Sequence, residues 1–169
     1  MMQFVPEKVI DEVAEGLGTS GVELEEALKA LQLHQPALIP FLLEEENDSV
    51  FSESEREFML YLLAVVWKSC LEVNGAQQVI HPDALSEAEE QNWELLEAVQ
   101  AKRFRERLDV FFSGTPQEDL LAFLEDCLTE DEEDEEENPV SKEGREPIFV
   151  LLKSVVDCLD RAPLASSLS

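Results

Sequence analysis

Apolar residues recur along this chain at intervals of three and four, the spacing that lines up side chains on one face of an α-helix. Val9, Ile10 and Val13 give such a face to a first helix that opens near Pro6 and stops at Gly16. A second stripe, Leu24, Ala27, Leu28 and Leu31, predicts a helix from about residue 21 to 33. "HQPALIPFLL" then reads as a short helix or turn pair, broken by Pro36 and Pro40. The clearest signal is "FMLYLLAVVW", ten apolar residues from Phe58 to Trp67. Ser52 and Glu55 precede it as a capping box, and the helix is expected to run to Val73, where "NGAQQ" ends it. A run this short does not span a bilayer, and a helix apolar on every side belongs in the middle of a bundle.

Ser86 with Glu89 repeats the capping spacing and is read as opening a helix that carries Trp93, Leu96 and Val99. The pattern leaves open whether this helix continues through "KRFRERLDVFF" or breaks near Ala101. Thr115, Pro116 and Glu118 start another, with Leu120, Leu121, Leu124 and Leu128 inside. Pro147 opens a last one, with Ile148, Leu151, Leu152, Val155, Val156 and Leu159. Strand-like alternation and fixed-period repeats are both absent. The expected fold is all-α, a single-domain helical bundle of about six to eight helices with a disordered acidic loop. Residues 1–46 would form an N-terminal helical subdomain, residues 47–161 the main bundle with a flexible acidic loop at 129–146, and residues 162–169 a frayed tail.

Charge changes this picture most. The 169 residues carry a formal net charge of -27; of those 27 negatives, 8 come from the unbroken carboxylate run Glu130–Glu137 and 19 lie elsewhere. Acidity therefore belongs to the whole surface. Such a field repels phosphate backbones and anionic lipid and attracts cations and basic proteins. Direct nucleic-acid binding and membrane binding are excluded on this reading; a basic protein partner or self-association remains. Cys70, Cys127 and Cys158 form no CxxC or Cys/His cluster, which argues for buried thiols in a reducing, cytoplasmic setting rather than a zinc site or disulfide framework. Cys127 and Cys158 read as flanking the acidic loop on neighbouring helices. The N-terminus "MMQFVPEKVIDEV" lacks the basic and apolar regions of a secretory signal.

"GLGTSG", Gly16 to Gly21, fits G-x-G-x-x-G, but no strand precedes it and Glu23, Glu25 and Glu26 would crowd a pyrophosphate. A helix end and turn is the expected use, and no cofactor is assigned. "VIDEVAEGLGTSGVELEEALKAL" resembles a helix-turn-helix, with Ala14 on the first helix, Gly18 at the turn and Leu24, Ala27 and Leu28 on the buried side of the second. A DNA reader needs basic or amide side chains on its recognition helix, and this one offers Glu23, Glu25, Glu26 and a single Lys29. The resemblance therefore implies packing geometry or protein binding.

"KRFRER" gathers four of the twelve basic residues, Lys102, Arg103, Arg105 and Arg107, beside Phe104, Leu108, Phe111 and Phe112. Arginine mixed with aromatic residues is typical of interface centres, although core packing and local charge neutralisation use the same residues. The patch is also placed to receive the acidic run. That run lacks the glycine turn and ligand spacing of an EF-hand, and its bland reading is a solvated loop. His81, Asp83, Glu87 and Glu90 converge at an expected helix start, but without H-E-x-x-H or similar spacing no metal site is assigned, and no catalytic residues are named.

The sequence thus points to a non-enzymatic acidic protein that recognises a basic partner. The residues expected to meet it are Trp93, Arg103, Phe104, Arg107, Phe111 and Phe112 together with Glu132, Glu133, Asp134 and Glu135 of the run. Two alternatives compete. Carboxylates on rigid helices could imitate DNA and inhibit a nucleic-acid-binding protein; an enzyme site could assemble from distant carboxylates, signalled by a buried glutamate of raised pKa beside a pocket.

Overall fold

The computed structural model describes residues 2–44, 51–129 and 140–164. Among them lie eight helices: α1 Glu7–Thr19, α2 Gly21–His34, α3 Leu38–Leu42, α4 Glu53–Asn74, α5 Pro82–Glu97, α6 Phe104–Phe112, α7 Glu118–Thr129 and α8 Lys142–Arg161. The described residues contain no strand, and one isolated bridge pairs Gln77 with Leu164. The fold is all-α, as the apolar spacing requires. The acidic run, with Glu132, Glu133, Asp134 and Glu135, lies outside the described residues.

Two helices form the centre. On α4, Leu62 to Trp67 are buried without interruption, so the ten-residue apolar run does sit in the middle of the bundle. α8 is its packing partner, and it buries residues on every side, including Arg145, Lys153 and Asp160. α1 and α2 pack on α4; α5 packs on α8 and α6; α7 lies against α1, α6 and α8; the short α3 touches α4, α5 and α8. One core cluster runs from Met2 and Val5 through to Leu159, and includes residues of the first three helices.

Several helix ends differ from the sequence pattern for identifiable reasons. α1 does not stop at Gly16 but continues through Gly18 to Thr19, with Ser20 as the single joint before α2. Gly18 is therefore inside a helix, not at a turn. Its bare backbone lies under Tyr61, whose hydroxyl donates to the Ala14 carbonyl at 2.9 Å, and a Cβ at Gly18 would sit 3.4 Å from that oxygen. Pro40 lies inside α3, in its first turn, where a missing N–H costs nothing. α5 starts four residues before Ser86: His81 is the N-cap and Pro82 the first helical residue, leaving Ser86 in the second turn. It ends at Glu97, and α6 is separate.

The last helix also begins earlier than its proline. Ser141 caps α8, accepting from the Gly144 N–H at 3.1 Å, and Pro147 falls in the second turn, where the lost bond would have gone to the Glu143 carbonyl. Residues 142–146, expected in the acidic loop, are helical. Residues 162–164, expected to fray, are held: the Gln78 N–H donates to the Pro163 carbonyl at 2.9 Å, and Gln77 Nε2 donates to the carbonyls of Leu159 and Ala162.

All three cysteines are free thiols. Cys158 does not flank the acidic run; it lies near the far end of α8, with its Sγ 3.5 Å from the Ala84 carbonyl oxygen of α5. Burial, with the Asp160 carboxylate nearby, pushes the Cys70 thiol up to about 12; burial and then Asp157 push Cys158 up to about 11, against the pull of Arg161. Both folded values lie above that of an unfolded thiol, about 8.5. The unfolded chain therefore releases these protons first. The stabilisation is complete below about pH 8.5 and is lost as pH rises through 11 to 12. Urea midpoints should fall steadily above that lower limit, and a Cys70→Val, Cys158→Val double variant should show a shallower alkaline slope. Equal slopes would contradict the assignment.

Candidate functional site

The candidate site is built on α5. His81 Nδ1 accepts the Asp83 N–H at 3.1 Å, so the histidine works as a helix cap. Leu85, Ala88, Asn92 and Leu96 turn inward against the bundle. Directly opposite, Asp83, Glu87, Glu90, Glu94 and Glu97 follow at intervals of four, three, four and three, and all five are exposed. They form one straight row of carboxylates on the outer face. Among the described residues no lysine or arginine is ion-paired with Glu87, Glu90, Glu94 or Glu97. His81 lies 3.5 Å from Asp83, but the described residues hold no cluster of three or more His, Cys, Asp or Glu able to take a metal ion. A row spreads charge; a metal site would have to gather it.

Trp93 stands beside this row, half-buried, with its indole N–H donating to Glu89 at 3.2 Å. The other residues expected at an interface fall elsewhere. Phe111 is 2% exposed and stacked on the buried Phe149, with ring centroids 5.7 Å apart. It is core, so its expected contact with a partner is corrected: no incoming surface reaches it without unpacking α6 from α8. Phe104 meets Phe149 edge-on at 6.3 Å, and both Phe104 and Phe112 are half-buried against the core.

The arginines of "KRFRER" divide by task. Arg107 donates to the carbonyls of Val99 and Ala101 at 3.2 and 3.0 Å, and to that of Leu96 at 3.4 Å, while its Nε pairs with Glu146 at 2.8 Å. One guanidinium thereby satisfies carbonyls at the end of α5 and ties them to the start of α8. This is structural work, which the sequence reading placed at an interface. Arg105 reaches across to α7, pairing with Glu125 at 2.6 Å and donating to Thr129. Arg103 stays exposed at the N-cap position of α6. Together with Phe104, Glu106, Lys142 and Arg145, these two arginines line a groove, cationic on balance, between the beginnings of α6 and α8.

A second acidic feature lies between α1 and α7. Glu7, Asp11, Asp119 and Asp126 rim a groove floored by Ile10, Ala122 and Phe123, and Asp119 accepts the Glu7 N–H at 2.9 Å. α7 shares the neighbours α6 and α8 with α5, whereas α1 packs on α2, α4 and α7.

The enzyme reading calls for a buried glutamate of raised pKa beside a pocket. Burial does push the Glu125 carboxyl up, against the neighbouring Arg105, yet Glu125 lines neither groove described above. A largely buried polar cluster joins Lys153, Asp157, Asn92 and Ser154. Lys153 Nζ donates to Asn92 Oδ1 at 3.0 Å and Asp157 Oδ2 at 2.8 Å; Asn92 Nδ2 donates to Ser154 Oγ at 3.0 Å and Asp157 Oδ2 at 3.1 Å. Ser154 Oγ donates in turn to the Val150 carbonyl, and Lys153 Nζ lies 5.2 Å from the Phe111 ring centroid. These groups spend their hydrogen bonds on one another, which suits a fixed α5–α8 contact. Among the described residues no helix is long and apolar enough to cross a membrane. Comparison with protein-family models, curated proteins and solved structures finds no match to this chain.

Proposed function

We propose that this protein is a non-enzymatic binding protein that recognises a basic partner protein in a reducing, cytoplasmic setting. The observation that carries the reading is the α5 row: five exposed carboxylates on one rigid helix, four of them without a cation from the described residues. A fixed row presents repulsive charges at no further ordering cost when a partner arrives, and its attraction speeds encounter more than it strengthens the final contact. At 1.5 Å per residue the row spans roughly 21 Å, or about one charge per 5 Å. Duplex DNA carries one per about 1.7 Å, so a single row is three times too sparse to pass for it. The regularity of the row favours DNA mimicry as a second reading; its density favours a general basic partner as the first.

Neutralising the row tests this. The variant Glu87→Gln, Glu90→Gln, Glu94→Gln should bind a lysine-rich peptide about tenfold more weakly than wild type at moderate salt, with a flatter salt dependence. A control triple, Glu12→Gln, Glu15→Gln, Glu57→Gln, removes equal charge from other exposed positions. Equal losses in the two triples would reduce the row to bulk net charge and overturn the reading.

A further inference from the structure

The two most exposed large apolar side chains of the described residues are Leu33 and Val22, at 84% and 67%, and both belong to α2. They are not scattered. Val22, Glu26, Ala30 and Leu33 follow at intervals of four, four and three, a single stripe along the helix. Beside that stripe, α2 and α4 part to leave a groove of about 360 Å³ lined by Glu23, Glu26, Ala27, Ala30, Trp67, Lys68 and Leu71. On the α2 side the groove is lined by two alanines, Ala27 and Ala30, and on the α4 side by Trp67 and Leu71; Trp67 also meets the His34 ring at 5.9 Å. An apolar trough with charges among its lining residues, on a helix that also exposes two large apolar side chains, is the form of a surface that receives a helix.

We propose that the α2–α4 groove docks an amphipathic basic helix of a partner protein, its apolar stripe over Ala30 and Trp67 and its cations against Glu23 and Glu26. This rests on the reading of a basic partner above and adds the surface where apolar burial occurs. Charge selects the occupant. A second copy of this chain would bring another -27 and set Glu23 and Glu26 against like charges, whereas a basic helix meets them with opposite sign. Lys68, on α4, is the one cation among the lining residues, against the two glutamates of α2.

The test uses the unsubstituted chain, which holds two tryptophans, Trp67 at the groove wall and Trp93 beside the α5 row; a Trp93→Phe variant serves only to assign the emission change to Trp67, and affinities are read on the unsubstituted chain. One probe is a synthetic lysine-leucine helix with leucines at intervals of three and four; the other has the same composition scrambled. The striped peptide is expected to shift Trp67 emission and to bind about tenfold more tightly than it does to the same protein carrying Ala30→Gln, which fills the trough without changing charge. Leu33→Gln, at an exposed site that leaves the core intact, should weaken it in the same direction. Binding of the scrambled peptide should be indifferent to both substitutions. If striped and scrambled peptides bind alike with Trp67 unmoved, the groove is not the docking site, although the basic-partner reading survives. If neither binds at moderate salt, both fall. Self-association that Ala30→Gln abolishes would assign the groove to a second copy and overturn the proposal.

Discussion

Replacing Lys153 with methionine is expected to destabilise the fold by about 3–5 kcal/mol, the cost of breaking a buried ion pair from one side. Lys153 and Asp157 lie one turn apart on α8, with side chains 10% and 14% exposed, so little water is at hand to replace the lost ammonium. Methionine keeps the length of the side chain and its contact with Phe111 but leaves the Asp157 carboxylate without its cation and the Asn92 carbonyl oxygen without its donor. At this chain length the melting temperature should fall by roughly 10 °C or more. Adding Asp157→Asn removes the stranded charge and should restore a substantial part of the loss. A double-mutant cycle of urea midpoints measures the coupling directly. If the single variant costs less than 1 kcal/mol, water reaches the cluster and Lys153 is free to do something other than hold α5 against α8.

The second large effect is expected at Glu55. Its carboxylate is shared by two helix beginnings: Oε1 accepts the Ser52 N–H at 3.0 Å, closing the capping box of α4, and Oε2 accepts the N–H and hydroxyl of Ser141 at 3.2 and 3.1 Å, at the N-cap of α8. A negative charge between two positive helix ends is favoured by both dipoles. Glu55→Ala removes both connections, and with about 1 kcal/mol per cap plus the strength of charged hydrogen bonds the loss should reach roughly 2–4 kcal/mol. Gly144 gives the sharper check. A Cβ there would overlap Glu55 Oε2, so Gly144→Ala should destabilise the wild type even though alanine favours a helix interior by about 1 kcal/mol. In the Glu55→Ala background the same change should become neutral or stabilising. A change of sign would show that the carboxylate occupies that position in solution; the same sign in both backgrounds would show that it does not.

How much of this was legible beforehand depends on the range of the interaction responsible. The Ser52–Glu55 box announces α4 because all of its bonds lie within four residues. Its second task, at Ser141, spans 86 positions and leaves no local trace. The Ser86–Glu89 pair has the same spacing with no capping role, since His81 and Pro82 had already started the helix. Misplacing that start cost the α5 row only its first member, Asp83; Glu87, Glu90, Glu94 and Glu97 already follow at helical intervals after Ser86. Gly16 and Gly18 read as a stop because each weakens a helix; the support that Tyr61 gives this turn, through its hydrogen bond to the Ala14 carbonyl, comes from a different helix and leaves no local trace. Arg107 and Phe111 were assigned to an interface on composition, and composition does not distinguish a partner's surface from the protein's own interior. The α2–α4 groove has no sequence signature, because alanines at helical spacing are ordinary until the facing helix is known.

The first and last parts of the chain meet. The Met2 N–H donates to the Asp160 carbonyl at 3.1 Å, and the buried amide of Gln117 joins Val5, Gln3 and Asp160. α8, last in order, is also the element against which α3, α4, α5 and α7 pack. During synthesis the earlier helices therefore emerge with their inner faces uncovered, and the core closes only when residues near 159 have left the ribosome. At translation speeds of about 5–20 residues per second this leaves several seconds of exposed apolar surface. An abundance of carboxylates, by keeping such chains apart, would serve the unfinished protein as well as the finished one.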